Sequence, residues 1–119
     1  MVEIKIQKIH EDAIIPLYAH AADSGADLFS IIDYTLQPGE RKLVNTGLKM
    51  QIPEGYEGQV RPKSGLALRY GITVLNSPGT IDANYRGEIG AILINLGKDP
   101  YEVKKGQKIA QIVFQEVKQ

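Results

Sequence analysis

Ile89-Gly90-Ala91-Ile92-Leu93-Ile94-Asn95-Leu96 is apolar at both alternating sets of positions. A short run of this kind, bounded by turn formers, reads as a strand buried on both faces. On its N-terminal side lies Val74-Leu75-Asn76-Ser77-Pro78-Gly79-Thr80-Ile81-Asp82-Ala83-Asn84-Tyr85-Arg86-Gly87-Glu88, dense in polar and turn-forming residues. Ser77-Pro78-Gly79 signals a turn, because proline presets one φ and glycine supplies the positive φ that follows. Residues 76–88 therefore read as a β-hairpin between Val74-Leu75 and the apolar run. Asp82, Tyr85 and Arg86 put a carboxylate, a phenol and a guanidinium on it. Such a set suits either a small polar ligand or an ordinary surface loop.

Working outward, Val2 to Gln7 alternates apolar and polar as a half-buried strand does. An irregular segment from residue 10 turns at Gly25 into a strand from Leu28 to Ile32. Gln37-Pro38-Gly39-Glu40 is a turn; Leu43-Val44 precedes Thr46-Gly47, and Leu48, Met50 and Ile52 alternate again. Gly58–Arg61, Tyr101–Val103 and Ile109–Phe114 read as further short strands, the last two parted by the turn Lys104-Lys105-Gly106. Ser64-Gly65-Leu66-Ala67-Leu68-Arg69-Tyr70-Gly71 is the one helix, with Ser64 expected as its N-cap and Gly71 as its left-handed stop. Short strands punctuated by glycine and proline imply an all-β fold, a distorted jelly roll or barrel with one short helix, in a single domain over residues 1–119.

The chain has 119 residues, 43% apolar and 24% charged, with 14 basic residues against 14 acidic ones. That balance disfavours non-specific binding to nucleic acid or anionic membrane, which needs a large positive field. There is no cysteine, so neither a disulfide framework nor a thiolate metal site exists. With His10 and His20 alone, a three-histidine zinc site within one chain is excluded. No apolar run approaches the roughly 20 residues of a membrane span, and no signal pattern opens the chain, so a cytoplasmic location is expected.

Phosphate-loop and dinucleotide glycine motifs are missing. Anion-binding capacity is nonetheless expected at Arg61-Pro62-Lys63-Ser64-Gly65, where two cations flank a helix N-terminus. Asp27 and Asp82 are candidates to share a divalent cation through water, the habit of magnesium near phosphates. Taken singly, each cluster also has a purely structural reading.

Together the clusters resemble one family. Ser24-Gly25-Ala26-Asp27-Leu28, Arg61-Pro62-Lys63-Ser64-Gly65-Leu66-Ala67, Gly79-Thr80-Ile81-Asp82-Ala83-Asn84-Tyr85-Arg86-Gly87-Glu88 and Gly106-Gln107-Lys108-Ile109-Ala110-Gln111 look like the first four motifs of the trimeric dUTPases, in order and spacing. The resemblance spans nearly the whole chain, and Asn76-Ser77-Pro78 looks like the bacterial form. It implies a homotrimer with shared active sites that splits dUTP into dUMP and pyrophosphate with Mg²⁺. By resemblance, Asp82 orients and deprotonates the attacking water and also holds the sugar 3′-hydroxyl. Tyr85 packs on the deoxyribose, while Asn76 and the backbone of Gly79, Thr80 and Ile81 read the uracil. Arg61, Lys63, Ser64 and Gly65 hold phosphate oxygens with Gln111 nearby, and Asp27 contacts the Mg²⁺ through water.

Asn45 stands where the family often has proline before Thr46-Gly47. The family's fifth motif, a glycine-rich arm with an arginine and a phenylalanine, is not found before Gln119. By resemblance that arm clamps the γ-phosphate and stacks on uracil, so residues 1–119 alone are expected to bind dUTP but turn it over slowly. Two alternatives stand beside this reading: a dCTP deaminase, which is a relative of similar fold, and a nucleotide-binding regulatory protein without turnover.

Overall fold

Strand pairing here joins pieces distant in sequence throughout the computed structural model, which describes residues 2–119. The elements are β1 (Lys5–Lys8), β2 (Ala26–Phe29), β3 (Tyr34–Leu36), β4 (Arg41–Gln51), β5 (Tyr56–Arg61), α1 (Ser64–Tyr70), β6 (Ile72–Val74), β7 (Gly79–Ile81), β8 (Glu88–Asn95), β9 (Tyr101–Val103) and β10 (Lys108–Glu116). One sheet has the order β1-β4-β8-β6, a second β2-β10-β5-β7, and a small third pairs β3 with β9. All these pairings are antiparallel. The fold is a distorted, all-β jelly roll with one short helix. Leu48, Ile89 and Leu93 of the first large sheet and Leu28, Val60 and Ile112 of the second belong to one buried apolar cluster. Among the described residues, no helix is long and apolar enough to cross a membrane.

Several expectations are corrected. The first strand is Lys5–Lys8 rather than Val2–Gln7, because its partners are Leu48–Gln51. β2 ends at Phe29 rather than Ile32: the Ser30 hydroxyl donates to Ile32 O and accepts from Ile32 N–H, turning the chain there. Leu43–Gln51 belongs to one strand, irregular between Asn45 and Leu48, where Gly47 takes φ +72°.

Residues 76–88 are not a tight hairpin. Their flanks do pair, Val74 opposite Leu93, but β7 in the middle crosses to the other sheet and pairs with β5. Gly79 does not supply a positive φ. It is an extended, buried residue of β7, and a Cβ there would sit 3.3 Å from Asn76 Nδ2.

β8 is buried on one face only. Ile89, Ala91, Leu93 and Asn95 point inward, whereas Gly90, Ile92 and Ile94 are half-buried. Leu43 and Asn45 of β4 lie against Gly90 on that outer row, and Leu43, opposite Ile92, is itself exposed. Asn95, buried at the end of this apolar strand, satisfies its amide fully. Nδ2 donates to Leu36 O and Asp99 O at 2.9 Å, and Oδ1 accepts from Gly97 N–H at 2.8 Å.

Candidate active site

Three of the expected site residues lie in a row set by strand register. Gln111 of β10 pairs with Asp27 of β2 on one side and with Arg61 of β5 on the other. Directly opposed residues of antiparallel strands share a face. Their neighbours Ala26, Leu28, Val60, Ala110 and Ile112 belong to the core, so this row takes the outer face of the second sheet. Gln111 Nε2 donates to Pro62 O at 2.9 Å. Its amide lies against Gly25, where a Cβ would fall 2.1 Å from Oε1. Only glycine leaves room for it.

Asp27 is buried, yet both its oxygens are engaged: Oδ1 by Lys63 Nζ at 2.5 Å and Oδ2 by Lys108 Nζ at 3.2 Å. Burial pushes its pKa upward, but the two ammonium groups outweigh that and hold the carboxyl below its ordinary value. Two cations on one anion leave the cluster net positive. Lys63 therefore does not project freely to solvent; it spans from the β5–α1 connection to β2. The motif resemblance gave Lys108 no role, and only knowledge of the β2–β10 pairing reveals it.

Arg61 is aimed by its neighbour on the same face of β5. Its Nε and Nη2 donate to Gln59 Oε1 at 3.1 and 2.6 Å, and Gln59 Nε2 donates to Glu57 Oε2 at 3.0 Å. The i, i+2 spacing on a strand carried this signal in the sequence.

The helix is only partly as expected. Lys63 occupies the N-cap in an extended conformation, with no side-chain cap bond, and Ser64 is the first helical residue. Ser64 is exposed, so its hydroxyl is not spent on capping. Gly71 closes the helix in the left-handed conformation, φ +70°. The Arg69 guanidinium folds back over Gly65, where a Cβ would lie 2.7 Å from Nη2.

Asp82 stands elsewhere. It lines an open groove of about 850 Å³ with Thr80, Asn84, Arg86, Tyr56 and Glu57. Of the residues expected to hold substrate, only Thr80 shares that groove; Arg61, Lys63, Ser64, Gly65, Asn76, Tyr85 and Gln111 do not line it. β7 runs opposite β5 with Ile81 against Gly58. Asp82 thus falls at the Glu57 end of β5, four residues along the strand from Arg61, roughly 13 Å at about 3.3 Å per residue.

The turn after Asp82 is held by its own bonds. Tyr85 N–H donates to Asp82 O at 3.0 Å, and Tyr85 Oη donates to Glu88 O at 2.8 Å. Arg86 Nη1 returns to Ala83 O at 2.6 Å. Glu88 anchors the turn to the sheet by accepting Gly47 N–H at 2.9 Å, while Thr46 Oγ1 donates to Ile89 O at 2.7 Å.

Among the described residues, no group of three or more histidine, cysteine, aspartate or glutamate side chains is placed to hold a metal ion.

A sequence-family model for dUTPase matches residues 11–119. A deoxyuridine 5′-triphosphate nucleotidohydrolase of Clostridium novyi is 58% identical over 112 residues, 94% of this chain and 79% of that protein. One from Trichodesmium erythraeum is 58% identical over 97% of this chain and 81% of its own length. The dUTPase of phage phi11 of S. aureus superposes with TM-score 0.92 at 24% identity, covering 98% of this chain and 92% of that one. A mutant of that phage enzyme is described as coordinating a structural Mg(II) ion, and a mutant of the phage 80alpha dUTPase was solved with dUpNHpp. Identity above half over nearly the whole chain, a family match from residue 11 onward and a jelly roll of the same shape agree, and the chain belongs to the dUTPase family of hydrolases.

Proposed function

We propose that this chain hydrolyses dUTP to dUMP and pyrophosphate, and that its active sites form between copies in a homotrimer. The observation that carries the reading is the division of the site. A lone carboxylate, Asp82, stands in an open groove, while the cationic row of Arg61, Gln111 and the Lys63–Asp27–Lys108 cluster sits roughly 13 Å away. That separation is measured along the β5 backbone, and it leaves the two halves of the site apart within a single copy. A neighbour supplying the second half closes the gap, and the half-buried row Gly90, Ile92 and Ile94 with the exposed Leu43 gives the copies an apolar face to share.

In this reading Asp82 takes a proton from a water as its oxygen attacks the α-phosphorus. The bond from that phosphorus to the bridging oxygen breaks, and pyrophosphate leaves with the electron pair. Arg61 and the backbone N–H groups of Ser64 and Gly65 bind phosphate oxygens and stabilise the charge that develops. Gln111 steadies that loop through Pro62. Asn76, beside the buried Gly79, and the β7 backbone present fixed donors and acceptors to the uracil edge. Once the base covers them, leaving such a partner unpaired costs about 1–3 kcal/mol, enough to separate uracil from cytosine. Tyr85 meets the deoxyribose.

The donor set suits a magnesium carried by the triphosphate, held through its own phosphate oxygens and waters, rather than a cage of carboxylates. Asp27 would contact such a water if Lys63 or Lys108 turned from it toward the phosphates, and the ion would supply neutralisation of phosphate charge. We place the activity in the cytoplasm, a compartment suited to a chain without cysteine.

Hydrolysis in ¹⁸O-water tests the chemistry: the label is expected in dUMP. Label in pyrophosphate would move the attack to another phosphorus, and release of ammonia from dCTP would favour the deaminase alternative. Sedimentation showing a stable monomer at micromolar concentration would remove the shared site.

A further inference from the structure

Two residues past Tyr85, Gly87 does something its backbone does not require. Its φ is not positive, so alanine is conformationally permitted there. What a side chain would meet is the Tyr85 ring. A Cβ at position 87 would stand 2.5 Å from Oη, 2.6 Å from Cζ and 2.9 Å from Cε1. The ring thus lies flush on the glycine, in space that any other residue would fill. Its hydroxyl is fixed by the bond to Glu88 O at 2.8 Å, and its backbone by the turn bond to Asp82 O. Yet Tyr85 is 42% exposed, so nothing on its outer side stops it from swinging away when pushed.

We propose that Gly87 is a positioning residue for sugar selection: the missing side chain lets Tyr85 hold the ring posture that leaves no room for a 2′-hydroxyl. The inference rests on the reading that Tyr85 meets the deoxyribose. Three groups fix the posture: Gly87 beneath the ring, Glu88 O at its tip and Asp82 O at its root. Only the first can be altered without changing the tyrosine or the main chain. With alanine at 87 the ring must leave the glycine and release Glu88 O, losing the fixed posture from which it meets the sugar.

The test compares kcat/KM for dUTP and UTP in the full chain and in Gly87→Ala, Tyr85→Ala and the double variant. Gly87→Ala is expected to lower the preference for dUTP by about tenfold or more, the scale on which small steric changes in a pocket discriminate. Its thermal unfolding should stay within about 3 °C of the parent, since the strain falls on an exposed side chain. In the Tyr85→Ala background, the same substitution should change the preference no further. An unchanged preference in Gly87→Ala, alongside a collapsed one in Tyr85→Ala, would overturn the role of Gly87 and leave that of Tyr85 standing. A Gly87→Ala chain that fails to fold would also overturn it, showing that the glycine serves the backbone. So would an equal loss in both backgrounds. If Tyr85→Ala itself kept its preference, the sugar reading and this inference would fall together.

Discussion

The Asp27–Gln111–Arg61 row and the Asp82–Glu88 turn are built in opposite ways. The row takes its residues from three strands, and its geometry is the register of β2, β10 and β5. Its charges are interlocked and Asp27 is buried among them. The turn comes from seven consecutive residues, held by bonds that reach no more than three residues along the chain and anchored by Glu88 to Gly47. In the proposed reaction, phosphate neutralisation would call for charges that stay in place, as a sheet holds them. Water activation and sugar contact would call for a carboxylate and a ring that substrate can reach, as an exposed turn presents them.

The sharpest way to break this contrast is Asp82→Asn. The shape of the turn should survive, because no turn bond uses the Asp82 carboxylate. Turnover should fall by about 10²–10⁴-fold, the range of a lost general base, with dUTP binding retained. Retained turnover in steady-state assays would make Asp82 a turn residue only.

Asp27→Asn probes the other half, and its main effect should be on stability. It leaves two ammonium groups facing a neutral amide, costing about 1–3 kcal/mol in denaturant unfolding. The pH dependence has a definite sign. Asp27's carboxyl is held below its ordinary value in the fold, so its contribution is present above the usual carboxylate range and lost as pH falls through the lowered value. The gap between parent and variant should therefore begin to narrow as pH falls past about 4 and close only below Asp27's lowered value. A gap that persists in strong acid would assign the loss to packing.

Tyr85→Ala should leave the row untouched and act on sugar choice. The ring packs on Gly87 and is partly exposed, so the dUTP-to-UTP preference should drop by about tenfold or more while unfolding shifts little. A large loss of stability would mean that the ring is a structural prop.

The smallest expected effect is Ser64→Ala. With no side-chain cap bond to lose, stability should stay within about 0.5 kcal/mol, against about 1 kcal/mol for a true N-cap. Activity is the sensitive readout. A rise in KM without a matching loss of stability would place the hydroxyl on phosphate.

Local chemistry was legible in the sequence wherever a turn or a short alternating run decides the structure. The left-handed stop at Gly71, the turn at Gly106 and the strands around β5, β9 and β10 follow from residue type and period. What was not legible depends on pairing. β3, three residues long, gains meaning only from β9. Gly79 reads as a turn glycine beside proline, but its fate is set by β5 across the sandwich. Asn95 looks like a strand's polar end until Leu36 and Asp99 are seen to use its amide. The site divides likewise. The motif resemblance names Asp27, Asp82 and Gln111, and the i, i+2 spacing on β5 signals Gln59, whereas Lys108 emerges only when strand neighbours are known. Gly87 emerges only when the ring above it is placed.

In neither large sheet is any strand bonded to its sequence neighbour, and the third sheet pairs β3 with β9. One of the two inner strands of the second sheet, β10 (Lys108–Glu116), follows both of its partners, β2 and β5, in the chain. A chain leaving the ribosome must therefore carry β2 and β5 without their shared partner until β10 emerges. Loops must then close over long separations before contacts repay them, which slows folding. Meanwhile unpaired strand edges are open to other chains. Nascent chains stalled before β10 should therefore be clients of chaperones rather than small folded enzymes.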